Sequence, residues 1–251
     1  MSLATRMKKY EAVNNHLLTP RMPVAIRVDG KAFHTYTKGF NYPFSKSLME
    51  AMESAAFDTA CNIQGVKAVY VQSDEVTFIL TDYERRETQG WFNYEHQKIV
   101  SLSAALMTGY FNKYIKEFSK QHLEEGALGN KIAFFDSRAF NVPTDDVTNL
   151  LLWRAQDWKR NSLQMYARFF YSHNECRQKN SNDLHEMLYK KGKNWATDLT
   201  NREKNGVFIF NYPRSENGDQ PQGKTIMYNI FPEYEAINKY MEPLLKPKDE
   251  S

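Results

Sequence analysis

The sequence predicts an α+β fold of ferredoxin type: a β-α-β-β-α-β core with an antiparallel sheet and long flanking helices. Three observations carry this reading. Short runs rich in β-branched residues alternate with long stretches of helical apolar spacing. Two of the runs, residues 66–71 and 76–80, are separated only by Gln72-Ser73-Asp74-Glu75, as a hairpin requires. The resulting order is strand, helix, hairpin, helix, strand, helix. One antiparallel sheet with helices on one face satisfies it.

Each element has a local reason. Residues 8–18 read as a short helix ending before Thr19-Pro20. Residues 23–28 (PVAIRV) are a strand that stops at the turn signal Asp29-Gly30. Residues 45–62 read as a helix that Ser45 can cap, with Leu48, Met49, Met52, Ala55, Ala56 and Thr59 as its apolar stripe. Residues 92–118 form a long helix whose middle (Ser101, Ser103, Ala104, Ala105, Thr108, Gly109) is small enough to pack closely on a sheet. A strand is expected over 131–135 and a second long helix over 145–171. After Ser181 the periodicity weakens; 201–210 and 224–230 read as a peripheral hairpin, and 246–251 as a frayed tail.

Composition narrows the class. Of 251 residues, 41% are hydrophobic and 25% charged, which suits a folded globular chain and not a disordered one. No apolar run approaches the roughly 18 residues of a membrane span, so no membrane association is expected. The first residues (MSLATRMKKYEAV) lack the apolar stretch of a secretory signal. Cys61 and Cys176 lie far apart, giving neither a disulfide framework nor a thiolate zinc site, and the expected compartment is the cytoplasm. The net charge of +3 permits a nucleic-acid partner without demanding one.

Two motifs carry chemistry. In Arg27-Val28-Asp29-Gly30-Lys31-Ala32-Phe33-His34 an acid closes an apolar strand and a glycine follows. In Gln72-Ser73-Asp74-Glu75-Val76-Thr77-Phe78 two acids occupy a hairpin tip. In the expected fold the first strand and the hairpin are neighbours, so Asp29 and Asp74 approach each other. Hard oxygen ligands so placed suit Mg²⁺, which shares its shell with substrate phosphates. Two such ions serve an in-line displacement at phosphorus. Read singly, each motif is also what a turn carries. From these residues alone the reading stops at metal-dependent phosphoryl or nucleotidyl transfer.

The pair RVDGKAFH and QSDEVTF, about 40 residues apart, resembles the tRNA(His) guanylyltransferase family, and more narrowly its bacterial guanylyltransferase-like branch. Lys9-Tyr10-Glu11, Trp91-Phe92 with Lys98, Phe135-Asp136-Ser137-Arg138, Trp153-Arg154 with Asp157 and Asn161, and Gly206-Val207 fit the pattern in order, so the resemblance spans roughly 4–210. It implies a palm-like catalytic domain over 1–180, with 181–251 as a C-terminal extension packed on the same unit. It also implies 3′→5′ addition of GTP, ATP and other NTPs to the 5′ end of tRNA, through a 5′-triphosphorylated or 5′-adenylylated RNA. Carried over by position, Asp29, the Gly30 carbonyl and Asp74 match the ligands of two Mg²⁺ ions, and Glu75 the neighbouring catalytic acid. Asp29, Gly30, Lys31, Ala32, Phe33, His34, Ser73 and Asp74 match the nucleotide-binding segment. The family is usually an oligomer, so a homotetramer is expected.

This chain departs from the family at three places. It has Lys159-Arg160-Asn161-Ser162 where eukaryotic members carry His-Ile-Asn-Asn, Tyr42 where the family has a phosphate-binding lysine before proline, and Tyr94-Glu95 for the basic pair ahead of Lys98. The departures favour template-dependent repair of 5′-truncated tRNA over untemplated guanosine addition, with triphosphate contacts moved to Lys31, Lys38 or Lys46. Arg154, Asp157 and Asn161 share a helix face. Together with Lys98, Lys159 and Arg160 they are the RNA or phosphate candidates. From Arg154 to Lys179 bases outnumber acids, with Trp158, Tyr166, Phe169 and Tyr171 interleaved, a combination that tracks phosphates and stacks bases. A palm-type purine nucleotide cyclase and a catalytically silent RNA-binding module remain as alternatives.

Overall fold

This computed structural model describes residues 1–13, 15–212 and 223–246. Along them the chain forms α1 (Leu3–Ala12), β1 (Val24–Gly30), one turn of helix α2 (Phe33–Tyr36), α3 (Lys46–Asn62), the hairpin β2 (Val66–Gln72) and β3 (Glu75–Leu80), α4 (His96–Gln121), the short α5 (Glu125–Leu128), β4 (Phe135–Asn141) and α6 (Val147–Phe170). Then follow α7 (His173–Cys176), α8 (Ser181–Lys190), α9 (Trp195–Asp198), α10 (Asn201–Asn205), β5 (Val207–Tyr212), β6 (Gly223–Met227) and α11 (Tyr234–Leu245).

The strands lie in the order β4-β1-β3-β2-β5-β6, all neighbours antiparallel. The first four are the expected β-α-β-β-α-β core. Alternation along β1 explains how it is covered. Val24, Ile26 and Val28 enter one core, which α3 and α4 complete with Met52, Ala55, Ala56, Met107 and Phe111. Ala25 enters a second core with Tyr70, Ile79 and Phe208, closed by Leu151 and Ala155 of α6 and Ile237 and Met241 of α11. Helices therefore cover both faces, not one. The cause lies in β2 and β3, which are buried at nearly every position and so need cover on both sides.

Four element boundaries differ from the sequence expectation. The first helix runs over Leu3–Ala12, because Ser2 caps it by accepting from the Thr5 amide at 3.2 Å; His16 and Leu18 instead bond the backbone of His96 and Tyr94. The helix expected from residue 92 starts at His96, since Phe92, Asn93 and Tyr94 take left-handed backbone angles. The fourth strand begins where 131–135 was expected to end. The Asn112 side chain caps Ala133 by bonding its amide and carbonyl, at 3.0 and 2.8 Å, which keeps that run out of the ladder. Residues 201–205 are helical, and β5 pairs with β2, so the expected peripheral hairpin is the outer part of the main sheet. The tail expected to fray lies outside the described residues beyond Lys246.

The segment ahead of α3 is tied down by one carboxylate. Glu124 accepts hydrogen bonds from the Asn41 amide and from Ser45 Oγ, both at 2.8 Å, and from Ser47 Oγ. Burial alone would raise this carboxyl, but the bonds from Ser47, Asn41 and Ser45 outweigh it and hold the group below the usual carboxylate range. A folded pKa below the unfolded one gives stability that is present above roughly pH 4.3 and lost as pH falls through the folded value. We expect Glu124→Gln to cost about 1–2 kcal/mol in urea unfolding at pH 7 and clearly less at pH 3. An equal cost at both pH values would contradict this account.

Candidate active site at the end of β1

β1 delivers Asp29 to its last turn of strand, in register with Glu75 of β3 on one side and Asp136 of β4 on the other. Ala25, Arg27 and Asp29 alternate onto the face that α6 covers. Beyond Asp29 the chain must turn sharply. Gly30 donates its amide to the Asp74 carbonyl at 3.0 Å, which ties the strand end to the hairpin tip. A side chain at Gly30 would meet the Phe33 ring at 2.2 Å, so only glycine lets that ring pack here. Ala32 takes a left-handed φ of 53° to start α2. Phe33 is then locked among Tyr36, Phe111 and Phe135, with ring centroids 5.0–5.5 Å away. Lys31, Ala32 and His34 stay exposed beside it.

Asp74 sits in the β2–β3 turn, where Ser73 takes a φ of 46°. Burial pushes the Asp74 carboxyl up to about 6, and the charges of Asp29 and Glu75 push the same way against the hydrogen bond from Ser73. The Asp29 charge is thus felt at Asp74. Both line a polar cavity of about 290 Å³, together with Ser73, Arg154, Asn161 and Arg168. Asp74 also borders a larger apolar cavity of about 410 Å³, walled by Phe33, Phe40, Met49, Met52 and Val207. Ser73, Asp74, Trp158 and Met165 are common to both, so the hairpin tip is where the two meet.

Glu75 lies in the polar cavity but is already paired. Its oxygens accept from Arg154 Nε at 2.6 Å and Nη2 at 2.8 Å, and Gln72 donates to it at 3.1 Å. Arg154 also reaches Asp157, at 3.3 Å, which in turn holds Arg160 at 3.0 Å and Asn161 at 3.4 Å. Of the RNA candidates, Arg154 and Asn161 thus join the acids. Lys159 and Arg160 are exposed on α6, and neither lines the cavity. Lys98 pairs with Glu95 at 2.8 Å in the first turn of α4, near His96, which bonds Ala139. That is the end of β4 away from Asp136, so Lys98 is not brought to the acids.

Some cavity residues carry no sequence signal of their own. Glu53 of α3 and Arg202 of α10 form an ion pair that walls the apolar cavity, 149 residues apart in the chain. Burial raises the Glu53 carboxyl, and Arg202 works against that rise. Gln164 and Arg168 were readable in principle, since Arg154, Asn161 and Arg168 recur at a heptad spacing that lands on one helix face. Trp158 and Tyr166, from the interleaved aromatics, are buried in the core. Among the described residues, no group of three or more His, Cys, Asp or Glu is placed to hold a metal. The candidate ligand set is two carboxylates and a backbone carbonyl.

A family model described as "Thg1: tRNAHis guanylyltransferase" matches residues 4–143. The chain belongs to this family. A solved structure of a bacterial tRNA(His) guanylyltransferase (Thg1)-like protein in complex with ATP superposes with a TM-score of 0.84 at 35% identity, covering 97% of this chain and 99% of that one. The corresponding GTP complex gives 0.80 at 34%, covering 98% and 99%. The tRNA(His) guanylyltransferase of Debaryomyces hansenii is 26% identical over 85% of this chain and 82% of its own. Members of the Thg1 family are nucleotidyltransferases, and the mixed α+β fold seen here is the family's. No helix among the described residues is long and apolar enough to cross a membrane.

Proposed function

We propose that this Thg1-family chain adds nucleotides to the 5′ end of tRNA in the 3′→5′ direction, with Mg²⁺, as template-dependent repair of 5′-truncated tRNA. The observation that supports this best is the meeting of Asp29 and Asp74 where an apolar cavity of about 410 Å³ joins a polar one of about 290 Å³. The first suits a purine base and the second suits phosphates. That relatives were solved with ATP and with GTP supports a purine nucleoside triphosphate as the ligand for this junction.

The donor set fits a hard cation. Asp74 is a desolvated acid pushed up to about 6, with Asp29 beside it, which describes a site short of positive charge. Asp29, Asp74 and the Gly30 carbonyl would hold two Mg²⁺ ions, with phosphate oxygens and water completing each shell. When bound, Mg²⁺ would stabilise charge building on the phosphate oxygens and favour ionisation of the attacking hydroxyl. In the reaction the 3′-oxygen of the incoming NTP bonds to the phosphorus carried on the RNA's 5′ oxygen, and the bond from that phosphorus to the leaving group breaks. Pyrophosphate leaves a triphosphorylated end, or AMP leaves an adenylylated one, as the hydroxyl proton departs to solvent. The protein's part is chiefly positioning. Phe33, fixed in its aromatic cluster, holds the Asp29–His34 segment against the base cavity. Glu75, spent on Arg154, anchors that guanidinium at the polar cavity.

α1 buries none of its residues and presents Leu3, Met7 and Tyr10 on one exposed face, which suits assembly into a homotetramer. The cysteines Cys61 and Cys176 are free, which suits the cytoplasm.

A decisive experiment supplies a tRNA lacking its first nucleotide, each NTP in turn, and Mg²⁺. Incorporation only of the nucleotide complementary to the opposing base is expected. Guanosine addition whatever the opposing base would contradict repair. A cyclic product formed without RNA would contradict transfer to RNA altogether.

A further inference from the structure

One surface feature lies at the mouth of the apolar cavity, which Tyr42 lines, and extends beyond it to Phe169. Tyr42 and Phe169 are each 50% exposed, with ring centroids 5.9 Å apart. Large aromatic rings half in water are costly unless something lies on them. Both are held in place. Tyr42 donates its hydroxyl to the Met165 carbonyl at 3.1 Å, and Phe169 packs edge-on against Phe170 at 4.9 Å. Met165 borders both cavities, and Phe169 follows it by one helical turn, about 6 Å along α6. The ring pair is therefore continuous with the cleft that holds Asp74.

The rim of this pair is cationic. Arg168 precedes Phe169, lines the polar cavity, and makes no ion pair among the described residues. Its charge is felt at Tyr42, where it works against the burial that raises the hydroxyl. At the end of α6, Lys193 lies over the Phe170 ring at 5.4 Å and Lys191 over Tyr171 at 4.9 Å. Exposed aromatic faces edged by unpaired positive charge match the chemistry of a nucleotide: a π-face with a phosphate attached.

We propose that Tyr42, Phe169 and Arg168 form a seat for one unpaired nucleotide of the RNA substrate, its base on the exposed rings and its phosphate on the Arg168 guanidinium. The proposal rests on the reading above that the substrate is a 5′-truncated tRNA. In such an RNA the nucleotide opposite the missing 5′ position is unpaired, so its base has a free face to offer the rings. Holding that base beside the cleft would let it select the incoming nucleotide.

The test measures direct binding, which needs no turnover. Two hairpin RNAs are compared: an acceptor stem lacking its first 5′ nucleotide, and the same stem blunt. We expect the truncated hairpin to bind more tightly, and Phe169→Leu, which keeps apolar bulk but removes the ring, to weaken it roughly 5- to 100-fold. Phe169→Tyr should restore the affinity. Arg168→Gln should flatten the slope of log affinity against log salt by about one phosphate contact. GTP affinity measured without RNA should be unchanged in Phe169→Leu. Wild-type binding of the truncated hairpin by Phe169→Leu would overturn the seat. So would a changed oligomeric state of that variant in light scattering, which would mark the rings as a contact between copies of the chain. Ring-dependent binding without any nucleotide incorporation by the wild type would support the seat while removing the proposed reaction, so the two failures are distinct.

Discussion

Asp29→Asn and Asp74→Asn should each lower nucleotide addition by about 10³-fold or more, while the chain stays folded. The reason is local. Asp29 closes β1 and Asp74 occupies the tip of the β2–β3 hairpin, and the Gly30 amide bond to the Asp74 carbonyl fixes one against the other. Asparagine keeps the shape of either side chain and removes one of two like charges from a desolvated place. In metal-free buffer the variants should therefore melt no lower than the wild type. Added Mg²⁺ with GTP should raise the wild-type melting temperature, because a ligand that binds only the folded state stabilises it, and should leave the variants almost unmoved. Turnover in either variant within tenfold of wild type would separate these acids from the chemistry.

Arg154→Met should be among the most destabilising single changes on the α6 face. Arg154 and Glu75 are 11% and 12% exposed at their side chains and share two hydrogen bonds of 2.6 and 2.8 Å. Removing the guanidinium leaves a buried carboxylate with only the longer Arg27 contact, at 3.9 Å, as counter-charge, at a cost of up to about 3–5 kcal/mol. That is a large fraction of the roughly 5–15 kcal/mol that holds a domain together. Urea unfolding of Arg154→Met, of Glu75→Gln and of the double variant makes the comparison. The double variant should be more stable than Arg154→Met alone, because the poorly compensated charge is then absent. Additive losses would show that the two side chains act independently. Activity should also fall in Arg154→Met, since a freed Glu75 in register with Asp29 adds a third negative charge beside the acid pair.

Much of this site could be read from the residues. The runs 66–71 and 76–80 read as strands of a hairpin and are one, while the acids at their tip and at the end of β1 read equally as turn residues. Ser45 capped α3 as expected, accepting from the Leu48 amide at 3.2 Å. Other features depended on tertiary structure that local pattern does not carry. The fourth strand was displaced by a side chain of α4, Asn112, bonding across 21 residues. The second layer of helices was invisible because β2 and β3, buried on both faces, show apolar runs that do not say what covers them. The pairing of Glu75 joins residues 79 positions apart. Sequence position alone puts Glu75 beside Asp74 and cannot tell a ligand from an anchor. Trp158 and Phe169 looked alike in the sequence, yet one is 6% exposed and the other 50%. Helical phase relative to the sheet, not residue type, separates them.

The central claim is that Asp29 and Asp74 together hold divalent cations against a nucleotide's phosphates. Mn²⁺ in place of Mg²⁺, counted by electron paramagnetic resonance in the presence of a non-hydrolysable GTP analogue, reads this directly. The account predicts two bound Mn²⁺ per wild-type chain with the nucleotide present, and fewer than one in Asp29→Asn or Asp74→Asn. Two tightly bound ions in the variant carrying both substitutions would contradict it.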